Sequence, residues 1–241
     1  MIFLLIYLQL MPQNNTMLPE RFQKLKKALL SRQTDLTVVM DNVHKPHNMA
    51  AILRSCEAIG IHQAHIITPK GLYFRRPKAA AGVLRWVELE RHKNRNSIFT
   101  QLKQSGKRLI AAHPSSNTTD FREYDYTQPT AIVMGSEKKG LTQEAIDSVD
   151  DLISIPMQGL VQSLNVSVSA ALILFEAQRQ RLAQGYYDKQ NIDQDIFSKT
   201  LFEWSWPRIA SACQSRNLPY PEINLDTGEI MDADAFRKLI R

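Results

Sequence analysis

Apolar positions along the chain follow two alternating habits, one helical and one strand-like. Phe22, Leu25, Leu29 and Leu30 recur at helical spacing within residues 19–32, with lysines on the other face, and predict an amphipathic helix. Residues 36–40 form a short, β-branched apolar run of strand length. Residues 49–59 predict a helix closed by Gly60, and 64–68 a second strand stopped by Pro69. The alternation continues with a strand at 86–89, a helix at 97–104 ending near Gly106 and a strand at 108–112. A buried strand at 130–134, a short helix from Thr142, a strand at 152–155 and a long helix over 164–183 with Gly185 after it complete the series. Such alternation predicts an α/β fold with a parallel sheet covered on both faces. Ligands in such sheets sit beyond the carboxyl ends of the strands, so the loops after 36–40, 130–134 and 152–155 are the natural site. Residues 69–85, basic and broken by Gly71, Pro77 and Gly82, read as a long loop of the kind that usually carries function. Residues 186–241 pattern more weakly, as short helices at 196–204 and 206–213 followed by turns, and read as a helical cover.

Composition narrows the picture. A chain of 241 residues, 44% hydrophobic and 22% charged, is ordinary globular protein, large enough for one α/β domain with helical appendages. Nothing repeats at solenoid periods. Cys56 and Cys213 fit neither a disulfide framework nor a metal spacing, which favours a reducing cytoplasm. Residues 1–10 are apolar but too short to span a bilayer, and lack the basic start and cleavage site of a secretory signal, so no membrane association is expected. Residues 1–16 read as an extension ahead of a true start at Met11 or Met17. The net charge of +6 is unevenly placed. Residues 17–33 set five basic side chains against Glu20 alone, and residues 70–95 set eight against Glu88 and Glu90, whereas 116–151 hold eight acidic against three basic. Two basic segments, one with Tyr73 and Phe74 beside Arg75 and Arg76, point to a nucleic-acid partner.

Three loops carry the candidate chemistry. VMGSEKKGLT, residues 133–142, has the strand, G-x-x-x-x-G and helix start of a phosphate-binding loop. Leu141 stands where that loop needs lysine, so the nucleotide-triphosphatase reading fails. Gly135 allows close backbone approach and Gly140 a left-handed turn. In IPMQGLVQSLNVSVSAAL, residues 155–172, Ser163 and Asn165 stand where the last helix starts and can cap it or bind a substrate. In VHKPHNMAAILR, residues 43–54, Asn48 reads as a helix cap, and Arg54 as either a solvated side chain or an anion clamp. His44 and His47 read as turn residues rather than metal ligands, since no third ligand is near in sequence.

Together HNMAAILR (47–54), IVMGSEKKGLT (132–142) and ISIPMQGLVQSLNVSVSAAL (153–172) resemble the three motifs of the SPOUT RNA 2′-O-methyltransferases, in particular the TrmH branch. The resemblance runs from about residue 20 to 185, and more loosely through 218–224. It implies S-adenosylmethionine-dependent methylation of a ribose 2′-hydroxyl of a guanosine in the tRNA D-loop, by a homodimer, with no metal needed for methyl transfer. It also implies that the C-terminal part of the core folds back as a trefoil knot holding the cofactor. By the same resemblance Arg54 matches the catalytic arginine, Asn48 the asparagine that supports it, and Glu137, Ser163 and Asn165 polar residues important for activity. Ala112, Gly135, Ile155, Met157 and Leu164 match positions around the cofactor. Ala112 departs from the threonine or serine sometimes seen there, which removes a hydroxyl contact but not a backbone one. Arg21, Lys24, Arg32, Arg179 and Arg181 match basic positions that hold tRNA.

The implied organisation is a basic N-terminal helix over 17–34, a methyltransferase domain over 35–185 and a helical extension over 186–241. A guanidinium hardly ever gives up its proton, so Arg54 is expected to clamp a phosphate and stabilise developing alkoxide charge rather than act as a base. Alternatives are methylation of another tRNA position or of rRNA, or a silent RNA-binding protein on the same fold. The last is expected to have lost Arg54 or the third motif, and a short basic helix in place of a larger N-terminal domain favours tRNA.

Overall fold

The computed structural model describes residues 17–68, 82–115 and 117–232. The expected extension at 1–16 and most of the basic loop at 69–85 lie outside these residues. Two compact units emerge, one of residues 31–191 and one joining, among the described residues, 17–30 to 192–232. The N-terminal helix and the C-terminal extension, expected as separate flanks, thus share a unit, a pairing that local periodicity cannot reveal. The expected boundary at 185 also moves. Tyr186–Asp188 form a 3-10 turn on the larger unit, where the Tyr187 hydroxyl donates to the Ile59 carbonyl at 2.7 Å.

The larger unit contains strands β1 (Leu36–Asp41), β2 (Gln63–Ile67), β3 (Glu88–His92), β4 (Arg108–Ala112), β5 (Thr119–Asp120), β6 (Thr130–Met134) and β7 (Asp151–Ser154). They make a parallel sheet in the order β3-β2-β1-β6-β4-β7-β5. The central pair is β1 against β6, in register from Leu36 opposite Thr130 to Met40 opposite Met134. Every residue of both strands is buried, which is why each reads as a largely apolar run.

Side chains alternate between two cores. On one face Val38, Met40, Ile66, Ile132 and Met134 meet the inward stripes of two helices, α2 (Pro46–Ala58) and α5 (Val166–Ala183). On the other, Val39, Ile67, Leu109, Ala131 and Val133 meet α3 (Arg95–Gln104) and α4 (Gln143–Ser148). Each such aliphatic side chain taken fully out of water contributes roughly 1.5–3 kcal/mol.

Two strands depart from expectation. The strand anticipated at 86–89 lies at Glu88–His92, and Trp86 instead follows a 3-10 turn, Val83–Arg85. An edge strand paired only with β2 needs no apolar run, so its polar sequence hid it. The two-residue β5 is too short to leave a periodic signal.

In the smaller unit, α1 (Pro19–Leu30) buries Phe22 and Leu29, and α6 (Gln194–Ser205) buries Phe197, Leu201 and Phe202. The tail after α7 (Pro207–Ser215) returns as a turn. There the Gly228 carbonyl accepts from Trp206 Nε1 at 2.8 Å. A Cβ on Gly228 would stand 2.3 Å from the Phe22 ring, so this contact admits only glycine.

Two arginines expected to hold tRNA are corrected. Arg181 is fully buried. Its guanidinium donates to Asp35 Oδ1 at 2.5 Å, to Gln33 Oε1 at 2.9 Å and to the carbonyls of Tyr126 and Gln128, and lies over the Tyr186 ring. Arg32 is 1% exposed and donates to the Ile61 carbonyl at 2.8 Å. Both cations tie segments of the larger unit together and present no charge to an outside ligand. Arg179, two residues before Arg181, is exposed and forms a bidentate pair with Glu176.

Removing a buried, paired charge strands its partners, whereas a surface pair contributes little. Arg181→Ala should therefore cost about 3 kcal/mol or more in urea unfolding, while Arg179→Ala stays within about 0.5 kcal/mol. Equal losses for the two variants would contradict the assignment.

Candidate active site

Parallel strands end on one edge of a sheet, so neighbouring strands deliver their following loops to one place. Here β1, β6, β4 and β7 are consecutive neighbours. Asn48 follows β1, Gly135 follows β6, Ala112 ends β4 and Ile155 follows β7. The order also reverses here, since β1 leads outward to β2 and β3 while β4 lies beyond β6, which marks a crevice at the switch point.

The loop after β6 is a tight backbone ring. Ser136 N donates to the Gly140 carbonyl at 3.1 Å and Gly140 N to the Ser136 carbonyl at 2.9 Å. A Cβ at Gly135 would come within 2.6 Å of the Gly140 carbonyl carbon and 2.7 Å of Leu141 N, and Gly140 takes φ +63°. Both glycines are thus required by the ring. Leu141 is buried against the second core, so the position of a phosphate-binding lysine is a packing position here. Thr142 caps α4 by accepting from Ala145 N at 3.2 Å.

Asn48 does not cap its helix as expected. Lys45 occupies the cap position and Pro46 the first turn, where the missing N–H costs nothing. Asn48 is instead buried at 2% exposure and bridges the two other motifs. Its Nδ2 donates to Glu137 Oε1 at 2.6 Å, and its Oδ1 accepts from Asn165 Nδ2 at 3.3 Å. Asn165 does cap its helix, accepting from Ser167 N at 2.8 Å and Ser167 Oγ at 2.7 Å. One amide chain therefore joins all three motifs at the strand ends. Burial alone pushes the Glu137 carboxyl up. Backbone amides, including those of Lys45 and His44, and the Asn48 side chain outweigh that and hold it below the ordinary carboxylate value. The network therefore meets a charged acceptor at neutral pH.

The remaining expected residues fall in two groups. Ala112, Gly135, Ile155, Met157 and Leu164 are all half-buried, neither sealed in the core nor fully in solvent, as walls of an open cleft would be. Ser163 is exposed on the same irregular stretch as Leu160 and Val161, whose side chains stand out at 104% and 60% exposure. Arg54 is on the exposed part of α2, six residues beyond Asn48, roughly 9 Å along the axis. Its backbone thus stands more than one helical turn beyond that of Asn48.

One residue escaped the sequence reading. His113 follows Ala112 at the end of β4, and its Nδ1 is buried with no hydrogen-bond partner. A buried nitrogen of this kind costs about 1–3 kcal/mol until a group pairs with it. It fits a bound molecule that is apolar along one side and polar along another. Only its position after a strand end could have flagged it. The fit to S-adenosylmethionine is good on these grounds. The five half-buried positions, mostly apolar, suit a purine nucleoside with an aliphatic sulfonium tail, and His113 Nδ1 and the backbone would offer it polar contacts.

Comparison with known proteins agrees. Residues 35–175 match the SpoU rRNA Methylase family, and 179–233 match the C-terminal SpoU rRNA methylase region. The chain is 46% identical over 219 residues to the tRNA (guanosine(18)-2′-O)-methyltransferase of Escherichia coli (strain K12), spanning 90% of this chain and 95% of that protein. It is also 46% identical over 184 residues to the enzyme of the same name from Thermus thermophilus, spanning 76% of this chain and 95% of that one. Among solved structures, the A. aeolicus TrmH/SpoU tRNA modifying enzyme superposes with a TM-score of 0.73 at 36% identity, over 79% of this chain and 97% of that one. The SpoU methyltransferase AviRb of Streptomyces viridochromogenes, solved in complex with AdoMet, superposes with a TM-score of 0.57 at 26% identity, over 64% of each chain. With three motifs joined through Asn48 and the family match covering most of the sheet, the chain belongs to the SpoU methylase family.

Proposed function

We propose that this protein transfers a methyl group from S-adenosylmethionine to the 2′-hydroxyl of the guanosine at position 18 of tRNA. The similarity to enzymes of that name over 90% of the chain carries the reading. It is supported by the gathering of Asn48, Glu137 and Asn165 at the strand ends.

When bound, the cofactor supplies an electrophilic methyl on a sulfonium. Ala112, Gly135, Ile155, Met157 and Leu164 would hold it, with His113 as a polar contact. The chain's own residues have a positioning task, because a ribose hydroxyl is a poor nucleophile and gains most from alignment. The amide chain through Asn48 fixes the start of α2, the helix that bears Arg54. Arg54 then meets the neighbouring phosphate with a planar fork and stabilises the charge that develops on the ribose oxygen. The proton leaves to that phosphate or to water. Arg21 and Lys24, exposed on α1, add attraction for the RNA backbone, whereas Arg179 is paired with Glu176 on α5.

The same reading includes a homodimer. Val168, Leu172, Phe175 and Leu182 on α5 are 41–53% exposed and recur at helical spacing, on the side opposite the stripe buried against the sheet. An apolar patch of this kind on a soluble protein marks an association surface. A trefoil knot also belongs to this proposal. In its favour, the chain passes from β7, near one end of the sheet, back to α5, which packs against α2. The cytoplasm, where tRNA is processed, is the proposed location, and among the described residues no helix is long and apolar enough to cross a membrane.

Incubation with labelled S-adenosylmethionine and unfractionated tRNA, followed by nucleoside analysis, should yield 2′-O-methylguanosine. A base-methylated nucleoside, or labelling of rRNA alone, would overturn the assignment. Arg54→Ala should lower turnover at least about a hundredfold (~2.7 kcal/mol) with cofactor affinity unchanged, and Arg54→Lys should not restore it. Asn48→Ala leaves Glu137 and Asn165 without their shared partner. It should destabilise the protein by about 1–3 kcal/mol and reduce kcat, whereas the same loss of stability with kcat intact would make Asn48 purely structural. Phe175→Glu should shift the sedimentation coefficient from dimer toward monomer, and an unchanged dimer would place the interface elsewhere.

A further inference from the structure

At the far edge of the sheet, away from the cleft, three side chains converge in a way methyl transfer does not use. Glu90 and His92 are two residues apart on edge strand β3 and so share a face. His65 on β2 is the register partner of Glu90, on the same face. His65 Nδ1 lies 3.1 Å from His92 Nε2 and 3.4 Å from Glu90 Oε2, and His92 Nε2 lies 3.7 Å from the same oxygen. These three atoms form a nearly regular triangle.

The dimensions are informative. Tetrahedral zinc with N and O ligands at ~2.0–2.1 Å spaces its ligand atoms ~3.3 Å apart. The triangle's sides bracket that value, so an ion set slightly off its plane reaches all three atoms at normal bond length. Two imidazoles and one carboxylate are the protein set of several zinc sites that keep a fourth position open. Burial is graded in the manner such a site needs. The His65 side chain is 3% exposed, His92 11% and Glu90 39%, which leaves an entry path on the Glu90 side. Gln63 Nε2 donates to Glu90 Oε2 at 3.3 Å and orients the carboxylate.

We propose that His65, Glu90 and His92 form a binding site for a divalent transition-metal ion, zinc by ligand type, with an open fourth position at the solvent side. The ion would staple edge strand β3 to β2, adding to their backbone ladder bonds, the Gln63–Glu90 hydrogen bond and Leu89 at the margin of the core. The site takes no part in methyl transfer. A hydrogen bond between the two imidazoles is the competing account of the same distances, and it makes no provision for an ion.

The test uses the full chain without an affinity tag, stripped with chelator and titrated with zinc alone. One zinc per chain should remain after dialysis, and cobalt should give the visible bands of a four-coordinate ion. Zinc should also raise the melting temperature of the wild type. His92→Ala and Glu90→Ala, at the tolerant sheet edge, should each weaken zinc binding by more than about tenfold, the loss already produced by outer contacts of metal ligands. Both variants should keep methyl transfer within twofold of the wild type when zinc is absent. A wild-type chain that retains no zinc, or variants that bind it as tightly as the wild type, would overturn the proposal.

Discussion

The buried amide of Asn48 is the constraint on which the arrangement of the cleft depends. An asparagine side chain has a donor end and an acceptor end, and here each end is used by a different motif. The donor meets Glu137 after β6, and the acceptor meets Asn165 at the head of α5. Neither aspartate nor leucine of similar size can serve both. Aspartate brings a like charge to Glu137, and leucine takes from Glu137 and Asn165 the partner they share. The bridge works because Glu137 is ionised and because Asn165 is already fixed by capping its own helix, so little rotamer freedom is left to lose.

Behind the cleft a second polar device acts at longer range. Arg181 near the end of α5 reaches Asp35 ahead of β1 and the carbonyls of 126 and 128 ahead of β6. It therefore fixes the amino ends of the two central strands, while Asn48 and its partners fix the loops beyond their carboxyl ends. Helix α5 takes part at both places, through Asn165 at its head and Arg181 in its last turn. Loss of either contact changes how that helix lies on the sheet, so effects on the cleft and on stability are coupled.

Much of this was legible in the chain. The central strands announced themselves as largely apolar runs because both faces are buried, and Gly135 and Gly140 as a close approach and a left-handed turn, while the ring they close came only with the backbone pairing of Ser136 and Gly140. The three motifs contain Asn48, Glu137 and Asn165, which the fold joins. Pairing at a distance stayed hidden. Asn48 reads locally as a cap, and its bridging role exists only once β6 lies beside β1. Arg32 and Arg181 are cations by composition and core residues by position, a distinction no local pattern carries. Strand β3 was misplaced because an edge strand has one neighbour and keeps its charged residues. His65, Glu90 and His92 carry no motif spacing, since register across two strands brings them together.

The insertion of β6 between β1 and β4 also bears on how the chain acquires its shape. Leu36 pairs with Thr130, more than ninety residues downstream, so the middle of the sheet cannot close until that segment has left the ribosome. Until then β1 has β2 on one side only, and its other edge, mostly apolar, is a template for pairing with a foreign strand. Native pairings of such long sequence separation are slow to form. The architecture that gathers the motifs at one edge thus leaves the nascent chain dependent on protection during synthesis.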